Sequence, residues 1–198
     1  MHTYEKKHMI KAGVIGYGYW GPNIVRNFNN HPDIEVTKVC DKSPDRLSAL
    51  AGAFKGIEGV SDADDILKDT SIDAVAIVTP VFAHFPLAKQ ALENGKHVFL
   101  EKPFTATSDQ AKELIDLAAQ KGLLVVNSAG NEGSSSWKYI TAPADGDSVL
   151  AVGAVDMAIE AAEFTSFGPS ADGRVKPNVS ALGLRVVAAK YDGTLQSI

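Results

Sequence analysis

The chain has 198 residues, 45% of them hydrophobic and 22% charged, with a formal net charge of -5 at pH 7. That length fills one well-buried α/β domain and falls short of two full-sized ones. An acidic balance without any basic run argues against a nucleic-acid or anionic-membrane surface.

Residues 1–9 (MHTYEKKHM) read as a polar leader or tag, in which His2 and His8 are tail residues and not metal ligands; no metal site is expected. With no stretch of transmembrane length and no apolar secretion signal, a soluble cytoplasmic protein is expected. An apolar strand at 12–15 then runs through G-x-G-x-x-G into a helix. In that context the pattern predicts a cradle for a dinucleotide pyrophosphate: Gly16 permits the tight turn, Gly18 lets backbone approach phosphate, and Gly21 lets the helix pack closely. Tyr19 and Trp20 lie inside the loop. A second strand at 35–40 ends at Asp41, the spacing of an adenosine-ribose ligand, although an acid there could instead cap the helix that begins at Pro44. A carboxylate repels a 2′-phosphate, so NAD is favoured over NADP, a preference that Lys42 and Arg46 soften. Cys40, the single cysteine, excludes an internal disulfide and is expected as a buried thiol in a reducing compartment.

Further along come a helix over 44–54, a short strand near 56–60, an acidic helical piece over 62–68 and a nearly continuous apolar strand over 73–78 that Thr79-Pro80 ends. A helix with Phe85, Leu87, Ala88, Ala91 and Leu92 at helical spacing stops at Asn94-Gly95 and feeds a strand at 97–100. Thr107 or Ser108 caps a helix over 109–120, and Gly122 ends it before a strand at 123–126. The alternation predicts an α/β fold, a doubly wound, mostly parallel Rossmann-like sheet of about eight strands with helices on both faces. Its ligand would sit at the carboxyl ends of the strands, where Gly16, Asp41, Thr79 and Glu101-Lys102-Pro103 fall.

With GYGYWGPN, the acid at Asp41, VTPVFAH (78–84) and FLEKPFT (99–105) in this order, residues 10–126 resemble the NAD(P)-binding domain of the Gfo/Idh/MocA oxidoreductases, in particular their nucleotide-sugar branch. The resemblance implies that Thr79, Pro80 and His84 line the nicotinamide side, that Glu101 approaches the cofactor, and that Lys102 polarises the reacting hydroxyl or carbonyl. An ammonium at that place would stabilise oxygen charge developing in the transition state; the bland alternative is a surface lysine before Pro103.

Beyond that point the pattern changes. The segments 127–133, 139–144, 147–156, 164–170 and 175–183 resemble, in order, a subtilisin-family serine protease over about 122–198. That resemblance makes Asn131 the amide that donates to an oxyanion. No histidine follows His97, and the triad segments are not represented, so Asn131 and Lys102 are expected as vestiges and proteolysis is not expected. Residues 118–126 satisfy both contexts, which points to a fusion, engineered or recombinational. The expectation is a single hybrid domain over 10–198 (dehydrogenase-like over 10–126, subtilase-like over 127–198), with the strands near 148–152 and 185–189 extending the first sheet. A helix candidate at 157–163 lies where the protease family has a polar hairpin turn. The expected function is dinucleotide binding without a complete active site. The alternatives are an inert scaffold or a residual NAD-dependent dehydrogenase of a sugar or nucleotide-sugar. Homo-oligomerisation through an uncovered former domain interface is a further expectation.

Overall fold

Strand β1 (Ile10–Ile15) lies between two parallel neighbours, β2 (Ile34–Cys40) and β4 (Ala74–Ile77). With β3 (Glu58–Val60) and β5 (His97–Leu100) they make a five-stranded, all-parallel sheet of order β3-β2-β1-β4-β5 in a computed structural model that describes residues 9–189 and 195–197. The leader residues 1–8, His2 and His8 among them, lie outside the described residues. Between the strands run α1 (Gly21–Asn29), α2 (Pro44–Ala53), the one-turn α3 (Asp64–Leu67) and α4 (His84–Glu93), and α5 (Ser108–Gln120) follows β5. The chain divides into two compact units, 1–117 and 118–198.

In the first unit, the alternation of β1 explains why helices cover both faces. Val14 packs with Val25 of α1, Val36 and Val39 of β2 and Leu50 of α2. Gly13 faces the other way, where a Cβ would run into Ile66 of α3. Thr107 supplies the cap of α5, its hydroxyl accepting from the Gln110 amide at 3.3 Å. Lys96 is buried at the start of β5 and donates to the carbonyls of Asp69 (2.6 Å) and Ile72 (2.8 Å), while burial pulls its ammonium below the usual lysine range. Cys40 is buried as expected, and burial, followed by the charge of Asp41, pushes its thiol up to about 11.

Asp41, just past β2, is the buried carboxylate that ties two loops together. One oxygen accepts from the Tyr17 amide in the loop after β1 (2.8 Å), and the other accepts from the Ser43 amide before α2 (2.8 Å). Arg46 of α2 lies over both, with Nη1 3.2 Å from Oδ2. Ser43, not Asp41, caps α2, its hydroxyl accepting from the Arg46 amide at 3.4 Å. Burial pushes the Asp41 carboxyl up, but the two amides and the guanidinium outweigh it and hold the group below its ordinary value.

In the second unit, β6 (Val125–Ser128), β7 (Val149–Val155) and β8 (Val179–Leu182) form a separate parallel sheet of three strands, and β9 (Val187–Ala189) pairs antiparallel with β10 (Leu195–Ser197). Its apolar centre is small: Ala129, Ile140, Ala144 and Ala151. Buried polar groups supply much of the order. Lys176 donates to the carbonyls of Gly146 (3.0 Å) and Val149 (2.6 Å) and to Asn178 Oδ1 (2.9 Å), which in turn accepts from the Ala151 amide. Ser166 Oγ accepts from the Glu132 amide, and Thr165 Oγ1 accepts from that of Ala154.

Two expectations are corrected. The Rossmann sheet has five strands and not about eight, because β6 takes β7 as its parallel partner and β9 takes β10, so the strands near 148–152 and 185–189 belong to other ladders. Residues 157–163 are not a helix. The Asp156 carboxylate accepts from the Ala158 and Glu160 amides at 2.8 and 3.0 Å, and Val155 bridges Ala161 antiparallel, closing a hairpin turn.

Asp41→Asn should destabilise the protein by about 1–3 kcal/mol at pH 7 in urea denaturation, since a charge-assisted set of bonds is replaced by a misfitting amide. The folded carboxyl titrates below its unfolded value of about 3.9, so its stabilisation is complete above that pH and is lost as pH falls through the lower folded value. The gap between wild type and variant should therefore stay constant from neutral pH to about pH 5 and close at lower pH.

Candidate functional site at the carboxyl edge of the five-stranded sheet

The chain connection reverses direction between β1 and β4, which is where open parallel sheets leave a crevice beyond their carboxyl ends. Four strand exits meet there. β1 leads to Gly16, β2 to Asp41, β4 to Thr79 and β5 to Glu101.

The three glycines of the first exit differ in what forces them to be glycine. Gly16 has φ +102°, and a Cβ on it would sit 2.7 Å from the Val78 carbonyl oxygen at the end of β4. Gly21 opens α1, and a Cβ there would collide with the Gly16 carbonyl. Gly18 has no such constraint: a Cβ would find only the tip of Arg46, Nη1 at 3.7 Å. The protein itself leaves that space open. Trp20 occupies the position before α1, and Tyr19 meets its ring edge-on at a centroid distance of 5.2 Å. Both rings are exposed, Tyr19 by 85%.

At the second exit Asp41 already has the Tyr17 and Ser43 amides on its oxygens, and Arg46 screens it from solvent. Asp41 therefore does not cap α2; it braces the two loops, and it stands beside Gly18 through the shared Arg46 side chain. Lys42 next to it is exposed.

At the third exit the Thr79 hydroxyl is buried with no hydrogen-bond partner. Pro80 is exposed and starts a single 3-10 turn over Val81–Ala83. His84, expected to line the crevice, is instead 1% exposed. Its Nδ1 lies 2.9 Å from the Pro103 carbonyl oxygen and its Nε2 lies 2.8 Å from that of Thr79, so neither nitrogen is free for a ligand. At the fourth exit Glu101 accepts from the Lys102 amide (2.9 Å), and the Lys102 side chain is exposed. Asn131 lies apart from these residues in sequence and fold: it is exposed in the turn after β6 of the second unit.

Sequence reasoning missed the backbone members of this arrangement, the Tyr17 and Ser43 amides and the Pro103 carbonyl, because main-chain groups leave no residue-type signal. The donor set suits a dinucleotide. A nine-residue helix points its N-terminal end at the open space over Gly18, and an orphaned hydroxyl waits at Thr79. Among the described residues, no group of three or more histidine, cysteine or acidic side chains converges to hold a metal ion, and no helix is long and apolar enough to cross a membrane.

Comparison with known proteins agrees with this geometry. A model of the oxidoreductase family with an NAD-binding Rossmann fold matches residues 10–128, and a model of the subtilase family matches residues 92–198. The chain is 38% identical over 114 residues to the uncharacterized oxidoreductase YdgJ of Escherichia coli, covering 57% of this chain and 32% of that protein. It is 40% identical over 96 residues to dTDP-3,4-didehydro-2,6-dideoxy-alpha-D-glucose 3-reductase of Streptomyces antibioticus, covering 48% and 29%. Among solved structures, an NAD-binding protein from Listeria innocua superposes with a TM-score of 0.54 at 35% identity, covering 60% of this chain and 34% of that one. KijD10, a 3-ketoreductase from Actinomadura kijaniata solved with NADP and TDP-benzene, gives 0.54 at 33% identity, covering 58% and 35%. The matched part of the chain spans about a third of the length of these curated relatives (32% and 29%). With the model match running through more than half of the chain, from the first strand to β6, this protein belongs to the Gfo/Idh/MocA oxidoreductase family with its NAD-binding Rossmann fold.

Proposed function

We propose that the chain binds a nicotinamide dinucleotide across the carboxyl ends of β1, β2, β4 and β5. The observation that carries this reading is Gly18, the one glycine of the motif that the fold does not require, beside a space bounded only by the tip of Arg46. A side chain at Gly18 would fill that space, so its absence fits an occupant that needs close backbone approach. The amides of the loop and the N-terminal end of α1 would hold the pyrophosphate, Asp41 the adenosine ribose, and the Thr79 hydroxyl a polar group of the nicotinamide half. The nicotinamide ring, when bound, supplies a site that gives or accepts a hydride. Beside it, the exposed Lys102 ammonium would stabilise charge on a reacting oxygen, with Glu101 fixing the turn through the Lys102 amide.

NAD is the preferred form of the cofactor, and the margin is small. The Asp41 carboxylate disfavours a 2′-phosphate, whereas the Arg46 guanidinium lying on it offers that phosphate a counter-charge. The relatives are consistent with either form, one titled as NAD-binding and another solved with NADP.

Residues 127–198 are read as a subtilase-like segment joined to the nucleotide-binding part, and the whole as a hybrid that binds without turning over. The relatives include a dTDP-3,4-didehydro-2,6-dideoxy-alpha-D-glucose 3-reductase and a 3-ketoreductase, which makes a sugar nucleotide the substrate class to test first for residual reduction.

Titration with NADH, read by energy transfer from Trp20, should saturate at or below millimolar cofactor, and an unchanged signal there would overturn the proposal. Gly18→Val should abolish the response and lower the melting temperature only slightly, because the added side chain meets the tip of Arg46 and no backbone. Arg46→Ala should raise the ratio of NAD to NADP affinity by about tenfold, the loss of one charge-assisted contact to the 2′-phosphate.

A further inference from the structure

The ladder between β4 and β5 ends where the Glu101 amide donates to the Ile77 carbonyl at 3.1 Å. Two residues beyond that point on each strand, the carbonyls of Thr79 and Pro103 have no ladder partner in register, yet both meet the same imidazole. His84 Nε2 lies 2.8 Å from the Thr79 oxygen, and Nδ1 lies 2.9 Å from the Pro103 oxygen. His84 is 1% exposed, and both contacts are direct.

A carbonyl oxygen only accepts, and a neutral imidazole has one N–H and one lone pair. The ring N–H of a neutral imidazole therefore donates to one of the two carbonyls, and the other nitrogen packs against the second.

We propose that His84 is a positioning residue: a buried imidazole that ties the exits of β4 and β5 together beyond their ladder, and so fixes the Glu101-Lys102-Pro103 turn against Thr79. The clamp replaces the backbone pairing that the diverging strands lose. It sets the nicotinamide half of the cleft and leaves the adenosine half, which Asp41 and the loop after β1 build, independent of it. This division rests on the dinucleotide reading above; the clamp itself does not.

The test uses the full chain and two probes, NADH and ADP-ribose, the second lacking the nicotinamide ring. His84→Ala should weaken NADH by about tenfold or more while ADP-ribose changes by less than about twofold. His84→Gln, which restores one donor, should recover part of the NADH loss. Equal weakening of both probes, or of neither, would overturn the positioning role. If the wild-type chain binds neither probe, the dinucleotide reading fails. The clamp is then decided by ring-nitrogen NMR on histidine-labelled wild-type protein. A protected ring N–H of His84 coupled to the carbonyl carbon of Thr79 or Pro103 supports the clamp, and a ring with no such coupling overturns it. That measurement also covers the case in which His84→Ala does not fold.

Discussion

The first unit depends on a buried carboxylate that would be costly if left alone. Asp41 is 8% exposed, and removing an unpaired carboxylate from water opposes folding strongly. Here the cost is offset by two backbone amides from different loops and by a guanidinium from the next helix. The arrangement couples folding to site formation: Asp41 holds the loop after β1 through the Tyr17 amide, and that amide helps offset the burial of the carboxylate. The cleft is thereby organised before any ligand arrives, which reduces the ordering cost of binding.

The strand order completes what Asp41 begins. Parallel pairing of β1 with both β2 and β4 puts the reversal of winding at the exit of β1, and the Gly16 turn is pressed against the Val78 carbonyl there. Backbone can come this close only without a Cβ, so Gly16 and Gly21 serve the fold. Gly18 serves neither packing nor a positive φ, and the distinction separates the structural glycines of the motif from the one that faces an open cleft. On the far side, where β4 and β5 diverge, a buried imidazole takes over from the ladder.

The second unit is built on another principle. Its apolar cluster holds three alanines and one isoleucine, with Val149 and Ala162 buried as well, and burial of such small side chains contributes only a modest driving force. Lys176, Asn178, Ser166 and Thr165 supply a connected set of buried hydrogen bonds to main-chain groups in its place. Such a set fixes one conformation of the loops, since each buried donor or acceptor left unpaired would cost as much as a lost core contact.

The amino-acid sequence alone determined the local elements of the first unit, the turn at Gly16, the acid at the end of β2 and the burial of Cys40. Apolar runs bounded by Gly, Pro and capping residues act over a few positions, and the structure follows them within two or three residues. Only the tertiary structure decided the partners of β6 and β9, because strand pairing joins residues far apart and a short apolar run does not name its neighbour. It also decided the turn at 157–163, where the Asp156 side chain captures two amides and Ile159 adopts φ 64°, overriding a helix-forming composition. His84 is the clearest case. Its place after Thr79-Pro80 pointed to a cleft residue, but whether an imidazole meets solvent or two main-chain carbonyls depends on where the Pro103 turn comes to rest, and that is fixed by the fold.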